Sequence, residues 1–290
     1  MRKRQLMFVR SLIAYQGNKW SLLRNLWDAV GSFSHFHDVF GGSAVVALNM
    51  VSKNAKVYYN DHDTRIFEIF KVLQSMDCNN IIRELDKTIK KHGLSRTDNE
   101  AYLKFREHYN KKRDPVLLWV LSKHSFSSLI RFSDNGFNMP FGRRSPEKSS
   151  RRDFAIEEAH RRLRKLKLHN LSYLKYMEKA IKKADDSHVF YFDPPYLASG
   201  DNVYEGSWTE TDEIKLLQLL DYMDRKGLRW MLSNVTHHRQ HKNKILIKWL
   251  RDRNYTVIKP KFNKSGEGYI LNRATTSDAN NTKEVLVKNY

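Results

Sequence analysis

Apolar and polar positions alternate in blocks toward both ends of the chain, and the blocks predict strands followed by helices. In the amino-terminal part the pattern predicts strands at 36–40 and 56–59 around a helix at 43–51. In the carboxy-terminal part it predicts strands at 189–192, 230–233 and 255–258, with helices at about 210–226 and 242–252. Units that alternate in this way form a sheet of parallel strands covered by helices. We therefore predict an α/β fold with a sheet of the nucleotide-binding type.

The part of the chain between these blocks is mostly helical in pattern and strongly basic. Residues 104–183 hold 21 Lys and Arg against 8 Asp and Glu, which is most of the net charge of +20. One helical stretch is predicted to turn apolar residues to one face and basic residues to the others. The apolar face comprises Phe154, Ala155, Ala159, Leu163, Leu166 and Leu168, and the basic faces comprise Arg161, Arg162, Arg164, Lys165 and Lys167. A basic face of this kind either contacts phosphates or is exposed to solvent without a ligand.

A β-hairpin is predicted inside this basic part, where Asn135-Gly136 follows the β-prone residues 129–132. Asn-Gly after a β-prone run is the strongest short hairpin signal in a sequence. Basic and aromatic side chains interleave along the segment, namely Arg131, Phe132, Phe137, Phe141, Arg143 and Arg144. A ribbon of this kind suits insertion into a nucleic-acid groove.

Composition and net charge limit the kinds of partner that the protein binds and the cellular compartment in which it works. The 290 residues are 40% hydrophobic and 12% aromatic, which excludes a disordered chain. A net charge of +20 with a pI near 9.9 points to a polyanion, and no apolar run approaches the roughly 18 residues of a membrane span. The single Cys78 excludes a disulfide framework and a multi-cysteine metal site, so we expect a cytoplasmic protein.

A glycine turn follows the first predicted strand, in the order Asp38-Val39-Phe40-Gly41-Gly42-Ser43. Glycines let the backbone approach a ligand closely, and the next helix would offer unpaired N–H groups. About twenty residues on, Asp61 ends the second strand, where a carboxylate accepts hydrogen bonds from ribose hydroxyls in dinucleotide folds. The alternative is an ordinary tight turn followed by a helix N-cap.

The segment Asp193-Pro194-Pro195-Tyr196 is the most specific in the chain. Two prolines cannot continue a strand, so the backbone turns at the carboxyl end, where open α/β sheets bind their ligands. The Asp193 carboxylate and the Pro194 carbonyl are able to accept both protons of one exocyclic amino group while the Tyr196 ring stacks on the base. This arrangement limits delocalisation of the nitrogen lone pair into the ring and makes a poor nucleophile reactive.

Together these segments resemble the S-adenosylmethionine-dependent DNA adenine-N6 methyltransferases of the Dam type, most closely those of T-even phages. Tyr15-Gln16-Gly17-Asn18-Lys19 resembles the family's amino-terminal motif, and Ser233-Asn234-Val235 and Glu284-Val285 also match. The resemblance covers nearly the whole chain. It implies a Rossmann-like methyltransferase sheet, formed by 1–75 and 184–290, with an inserted, mainly helical target-recognition domain at 76–183 that carries the β-hairpin.

The resemblance also implies roles for single residues. The cofactor S-adenosyl-L-methionine would be bound by Tyr15, Lys19, Asp38, Phe40, Gly41, Gly42, Ser43, Asp61 and Asp193. The catalytic residues would be Asp193, Pro194, Pro195 and Tyr196. The family usually has a glycine at the position of Ser43, so contacts there are expected to differ.

Target recognition in Dam-type enzymes uses the hairpin, which reads GATC in duplex DNA. The matching positions here are Phe126, Ser127, Leu129, Arg131, Ser133, Pro140 and Arg144. Arg131 is the expected reader of guanine, because arginine forking onto O6 and N7 is the commonest specific major-groove contact. Ser133 stands where close relatives often have asparagine.

We therefore expect a site-specific DNA methyltransferase that flips one adenine out of double-stranded DNA, acts without a metal or an obligate protein partner, and does not bind membranes. The alternatives are methylation of RNA or single-stranded nucleic acid, and an inactive DNA-binding homologue. The histidines at 237, 238 and 241 have no acidic or cysteine residue nearby, so a loop near DNA is favoured over a metal site.

Overall fold

The computed structural model describes residues 8–51, 55–143, 146, 148–199, 208–260 and 282–290. The helices in these ranges are α1 (Leu23–Ala29), α2 (Val45–Met50), α3 (Thr64–Ser75), α4 (Cys78–Lys91), α5 (Asn99–Lys112), α6 (Pro115–His124), α7 (Ser150–Leu163), α8 (Tyr173–Ile181), α9 (Glu210–Arg225) and α10 (Lys244–Arg251). The strands are β1 (His35–Asp38), β2 (Lys56–Asn60), β3 (Phe132–Ser133), β4 (Gly136–Phe137), β5 (Leu166–His169), β6 (His188–Phe192), β7 (Arg229–His238), β8 (His241–Lys242), β9 (Thr256–Ile258) and β10 (Lys283–Lys288). None of the helices described has both the length and the apolar character needed to cross a bilayer.

The chain divides into two compact units that each draw on several segments. The first unit comprises Met1–Trp20, Gly41–Asn54 and Asp61–Asn170. The second comprises Ser21–Phe40, Ala55–Asn60 and Leu171–Tyr290. The assignment of 76–183 to a target-recognition domain, and of the rest to a catalytic domain, stays a prediction.

A mostly parallel sheet forms the second unit, with its strands in the order β2-β1-β6-β7-β10-β9. β1 pairs in parallel with β2 and β6, and β6 pairs in parallel with β7, as the alternating pattern predicted. The prediction was wrong for the strand at 255–258, because β9 pairs antiparallel with β10, which is itself antiparallel to β7. β10 was not among the predicted strands, so the partner that reverses the direction was missing.

The core of this unit explains why β6 is rigidly placed. All five residues of β6 are buried, as expected for a strand covered by helices on both faces. Phe190, Phe192 and Trp230 from the strands pack with Leu220 of α9 and Trp249 of α10. The carboxyl end of β6 is thus fixed by neighbouring strands on both sides and by helices that bury large aromatic side chains.

In the first unit, α7 differs from the predicted amphipathic helix. It ends at Leu163, and Leu166 and Leu168 lie in β5 instead. Phe154 is 52% exposed, whereas Ile156, Ala159 and Leu163 form the buried face. The prediction was right for Ala159 and Leu163, but it included the exposed Phe154 and carried the helical period past the end of the helix to Leu166 and Leu168.

Arg162 was predicted on a basic outer face and is buried. Its Nη1 donates to Asn49 Oδ1 at 2.8 Å, and Asn49 is itself fully buried. Burial, followed by repulsion from Arg161, lowers the pKa of Arg162. Asn49 also exchanges hydrogen bonds of 2.9 Å with the backbone of Val9, so α2, α7 and the amino-terminal segment meet at one buried amide.

The predicted hairpin is present, with its turn one residue earlier than expected. Phe132 pairs with Phe137 and Ser133 with Gly136, so Asp134 and Asn135 form the turn. Gly136 has φ +107°, and a Cβ there would lie 2.6 Å from Asn110 Oδ1. The glycine therefore serves the close approach to α5, where Asn110 hydrogen-bonds Phe137 N at 2.8 Å and Phe137 O at 3.1 Å.

Candidate active site

The Asp-Pro-Pro-Tyr segment leaves the sheet directly after β6, as predicted. Tyr196 Oη lies 3.1 Å from Asp193 Oδ1 and 3.1 Å from Glu284 Oε1. Tyr191, the fourth residue of β6, shares a 2.7 Å hydrogen bond with Ser233 Oγ of β7. Asp193, Pro194, Pro195 and Tyr196 are the residues predicted to be catalytic, and together with Ser233 and Glu284 we call them the catalytic edge.

Buried hydroxyl groups distinguish the catalytic edge. Burial raises the pKa of Tyr196 well above its ordinary value, and the negative charges of Asp193 and Glu284 add to the effect. Burial likewise raises the pKa of Tyr191, with Asp193 as the next cause. Both tyrosines therefore stay protonated at neutral pH, and the Tyr196 hydroxyl acts as a hydrogen-bond donor toward the neighbouring carboxylates.

Asp38 ends the neighbouring strand β1 in the same unit, and Phe40 follows that strand. Asp38 pairs with Tyr191 in the β1–β6 ladder and is almost completely buried. The Phe40 ring packs against Tyr173 at 5.1 Å and, edge-on, against Trp208 at 5.9 Å. These aromatic rings lie beyond the carboxyl end of β1, where a parallel sheet places its ligands.

The buried carboxylate of Glu213 links Trp208 to strand β7 through hydrogen bonds. Glu213 Oε2 accepts from Trp208 Nε1 at 2.7 Å, and Oε1 accepts from Asn234 at 3.0 Å and from Asn243 at 2.7 Å. Glu213 is fully buried, which raises its pKa. Sequence reasoning gave no role to Glu213, because a glutamate in the first turn of a helix has no local feature that predicts burial.

The glycine turn and Asp61 come together in the first unit. Asp61 Oδ2 accepts from Gly42 N at 2.7 Å, and Oδ1 accepts from Asp63 N at 2.8 Å. Burial raises the pKa of Asp61, while these two N–H donors oppose the rise. A Cβ on Gly42 would lie 3.3 Å from the Tyr15 ring, so Tyr15 packs on the turn.

The other features of this part of the first unit are the helix after the glycine turn and the side chains of Lys19 and Ser43. The helix after the turn begins at Val45, later than expected, because Ala44 takes a left-handed conformation with φ +59° and its N–H closes the turn on Gly41 O at 2.7 Å. Lys19 is buried, and its Nζ donates to Gly17 O at 2.7 Å, so it stabilises its own loop. Ser43 is also buried beside the turn.

The predicted DNA-binding residues other than Arg144 lie on residues 125–142, which we call the hairpin segment. Phe126 is 57% exposed, and it is followed by Ser127 and Ser128, both in the left-handed region with φ +55°. Two such serines in a row store backbone strain that surrounding contacts have to offset. Phe126 N donates to Pro140 O at 2.8 Å, which holds the exposed ring at the base of the segment.

Arg131 is exposed on the hairpin segment and is held along one side. Its Nε donates to Asn138 Oδ1 at 2.8 Å and its Nη2 to Asn138 O at 3.3 Å. Next to it, the guanidinium of Arg65 lies 4.0 Å from the centre of the Phe132 ring and pairs with Asp63 at 2.9 Å. Ser133 hydrogen-bonds Gly136 O at 3.5 Å, while Arg144 lies outside the described residues.

The two histidines at the end of β7 make hydrogen bonds with threonine hydroxyls. His237 contacts Thr236 Oγ1 at 3.1 Å, and His238 contacts Thr282 Oγ1 at 2.9 Å. Within the part of the chain that the structure describes, no three acidic, histidine or cysteine side chains are arranged to hold a metal ion.

Comparison with known proteins decides the family. The profile of the D12 class N6 adenine-specific DNA methyltransferases matches residues 15–263. The chain belongs to this family. The match includes the glycine turn, Asp61, the hairpin segment and Asp193–Tyr196, although Glu284 lies beyond it.

The relatives of this D12-class chain are named as modification methylases and as a DNA adenine methylase. Modification methylase StsI of Streptococcus sanguinis is 32% identical over 98% of the chain, and type II methyltransferase M.FokI of Planomicrobium okeanokoites is 27% identical over 98%. The chain spans 43% of the length of each of these two proteins. The DNA adenine methylase of Escherichia coli K12 is 22% identical over 89% of the chain and 90% of its own length.

Proposed function

We propose that the chain transfers a methyl group from S-adenosyl-L-methionine to N6 of an adenine flipped out of double-stranded DNA. The observation that carries this proposal is the catalytic edge, where Asp193, Pro194 and Tyr196 follow a fully buried strand. A flipped base needs acceptors for its amino group and a flat partner for its ring. The net charge of +20 supports a nucleic-acid partner, because phosphate neutralisation supplies most non-specific affinity.

At the catalytic edge each residue has a distinct task. The Asp193 carboxylate and the Pro194 carbonyl accept from the adenine amino group, which keeps the nitrogen lone pair available for attack. Pro195 keeps the turn rigid, and the Tyr196 ring stacks on the base. The chain thus orients the amino group and excludes water, while the bound donor supplies an activated methyl group on sulfur.

The residues around the glycine turn suit an adenosine-containing donor. Asp61 is buried and carries acceptor oxygens beside Gly42, where the absence of a Cβ lets the Tyr15 ring pack against the turn. We assign binding of the adenosine to Asp61 and the flanking contacts to Tyr15, Lys19, Gly41, Gly42 and Ser43. Asp38, Phe40 and Asp193 keep the cofactor-binding roles that the family resemblance implies for them.

We assign target recognition to the hairpin segment within residues 76–183. Asn138 accepts from both Nε and Nη2 of Arg131 and so fixes the plane of the guanidinium that would contact guanine O6 and N7. Phe126, Ser127, Leu129, Ser133, Pro140 and Arg144 provide the remaining contacts. GATC is the proposed target, as the Dam resemblance implies.

The catalytic assignment is tested by Asp193→Ala in a methylation assay with labelled donor and unmethylated plasmid. We expect turnover to fall by at least about a hundredfold, because the developing charge on nitrogen loses its acceptor. DNA affinity, measured by fluorescence anisotropy, should stay within about twofold of the wild-type value. The matched control is Asp186→Ala, an exposed acid in the loop before β6. An Asp193→Ala protein that keeps most of its turnover would refute the assignment.

The substrate is tested separately with duplex DNA, single-stranded DNA and RNA, followed by mass detection of N6-methyladenine. A nuclease that cuts only methylated GATC then tests the target. Methyladenine with cleavage supports the whole proposal. Methyladenine without cleavage keeps the reaction and rejects GATC, whereas methylation confined to RNA or single strands rejects duplex DNA as the substrate.

A further inference from the structure

Glu284 joins the catalytic edge from a distant part of the sequence. It lies on β10, 88 residues after Tyr196, and its Oε1 is 3.1 Å from the Tyr196 hydroxyl. The β10–β7 ladder shifts register next to it, because Lys283 pairs with His237 but Glu284 pairs with Val235. Thr236 falls between the two pairs and hydrogen-bonds Lys283 O at 3.1 Å. Bulges of this kind re-aim side chains beside active sites.

The Tyr196 hydroxyl has a single proton to donate, and it faces two carboxylates that are able to accept it in a hydrogen bond. It lies 3.1 Å from Asp193 Oδ1 as well as from Glu284 Oε1. A hydroxyl group donates one hydrogen bond, so full donation to one oxygen weakens donation to the other. Because burial keeps Tyr196 protonated, the proton remains on the tyrosine and only its direction changes.

The direction of this proton matters for the reaction. An oxygen of Asp193 that already accepts a hydroxyl proton presents less negative charge to the adenine amino group. We propose that Glu284 is a positioning residue that draws the Tyr196 hydroxyl proton away from Asp193 and so leaves Asp193 Oδ1 as the stronger acceptor for the target amino group. This inference rests on the proposed function of the same site.

The inference predicts an unusual pattern of activities. Glu284→Ala leaves the Tyr196 hydroxyl donating to Asp193 alone, so we expect kcat to fall about tenfold or more while KM for DNA and for the donor stays within about twofold. Glu284→Gln keeps a carbonyl acceptor and should stay within about threefold of the wild-type kcat. Tyr196→Phe removes the competing proton but keeps the ring, so Tyr196→Phe/Glu284→Ala should be faster than Glu284→Ala alone.

The experiment measures kcat and KM on unmethylated plasmid for these four variants and for the control Glu178→Ala, an exposed acid on α8 that pairs with Lys182. If Glu284→Ala does not fold, Glu284→Val replaces it, because a β-branched residue suits strand β10. A double variant no faster than the single one, or an unchanged kcat in Glu284→Ala, overturns the role of Glu284 while wild-type methylation upholds the proposed function. A wild-type protein that methylates no DNA overturns both.

Discussion

The hairpin segment and the catalytic edge are held in place in different ways. At the catalytic edge, Asp193 follows β6, whose residues are all buried and whose ladders run to β1 on one side and β7 on the other. The hairpin segment has strands of two residues each, and helix side chains support it. Tyr102 Oη donates to Met139 O at 2.8 Å, and Asn110 hydrogen-bonds Phe137.

This difference determines how easily a substitution displaces the functional residues of each region. The position of Asp193 depends on backbone hydrogen bonds, which most substitutions leave intact. The orientation of Arg131 depends on the single side chain of Asn138, and the strands beside it are supported by Tyr102 and Asn110, so single substitutions can move this region. We infer that substitutions alter target preference in this protein more easily than they alter methyl transfer.

Gly142→Ala should have the largest effect of the hairpin variants. A Cβ on Gly142 would overlap the carbonyl group of Ser125 and lie 2.8 Å from Phe126 N. Because these are backbone atoms, the base of the hairpin segment has to shift, at a cost of about 1–3 kcal/mol in the free energy of unfolding. We expect specific DNA affinity, measured by fluorescence anisotropy, to fall more than about tenfold.

The control for Gly142→Ala is Gly93→Ala, in the same unit. Gly93 has φ +63° and no atom within 4 Å of an added Cβ, so the change strains the backbone without crowding the hairpin segment. It should reduce stability by about 1 kcal/mol and leave DNA affinity unchanged. Equal losses of DNA affinity in both variants would show that stability, and not the hairpin, decides binding.

Much of the catalytic edge was predictable because its signals are local. The strand β6 appears as an apolar run, and the two prolines mark where it ends. The place of Asp61 follows from the same kind of local signal, since it comes directly after the strand that ends at Asn60. In each case a few adjacent residues determine both the local conformation and the direction of the functional group.

The contacts that sequence reasoning missed join residues far apart in the chain. Arg162 is buried against Asn49, 113 residues away, so its helical period alone placed it with the solvent-facing basic residues. Glu284 matched the family resemblance, yet its contact with Tyr196 depends on where β10 inserts between β7 and β9. Side-chain periodicity contains no information about which distant strand becomes a neighbour.

Arg65→Ala should weaken DNA binding by about fivefold to tenfold. The substitution removes the guanidinium 4.0 Å from the Phe132 ring centre, a contact worth about 0.5–2 kcal/mol, and loosens β3 from the start of α3. The control is Lys71→Ala on the same helix, which also removes one positive charge and leaves a weaker contact at 5.9 Å to Phe67. Identical salt-dependent losses in the two variants would mean that charge alone is responsible.

Asn138→Ala should have a smaller effect that is limited to specificity. Without Asn138 Oδ1, which accepts from Arg131 Nε at 2.8 Å, the guanidinium is less well oriented toward guanine. We expect discrimination against a substituted guanine to fall about threefold to tenfold, as for loss of one hydrogen bond to a charged group. Affinity for non-specific DNA should not change. Asn135→Ala at the exposed turn is the control, and a similar loss of discrimination there would contradict the role of Asn138.

The smallest expected effect concerns the opposite end of the sheet that carries the catalytic edge. His188 begins β6; its ring stacks on His35 at 4.1 Å, and its Nδ1 lies 2.9 Å from His37 Nε2. Burial, followed by the charge of His35, lowers the pKa of His188 below its ordinary value of 6.5. Because the unfolded chain then takes up a proton at higher pH than the folded chain, this part of the stability is present above pH 6.5 and is lost as the pH falls below it.

Urea unfolding at several pH values tests this prediction with His188→Phe, which keeps a ring beside His35 and removes the titrating group. The wild-type protein should lose stability from about pH 6.5 downward, and the variant should lose less over the same interval. Part of the loss should remain, because burial also lowers the pKa of His124 and of His160 in the first unit. If the two proteins lose stability equally, the titration of His188 contributes nothing to the acid sensitivity, and other groups with lowered pKa values, such as His237 on β7, account for it.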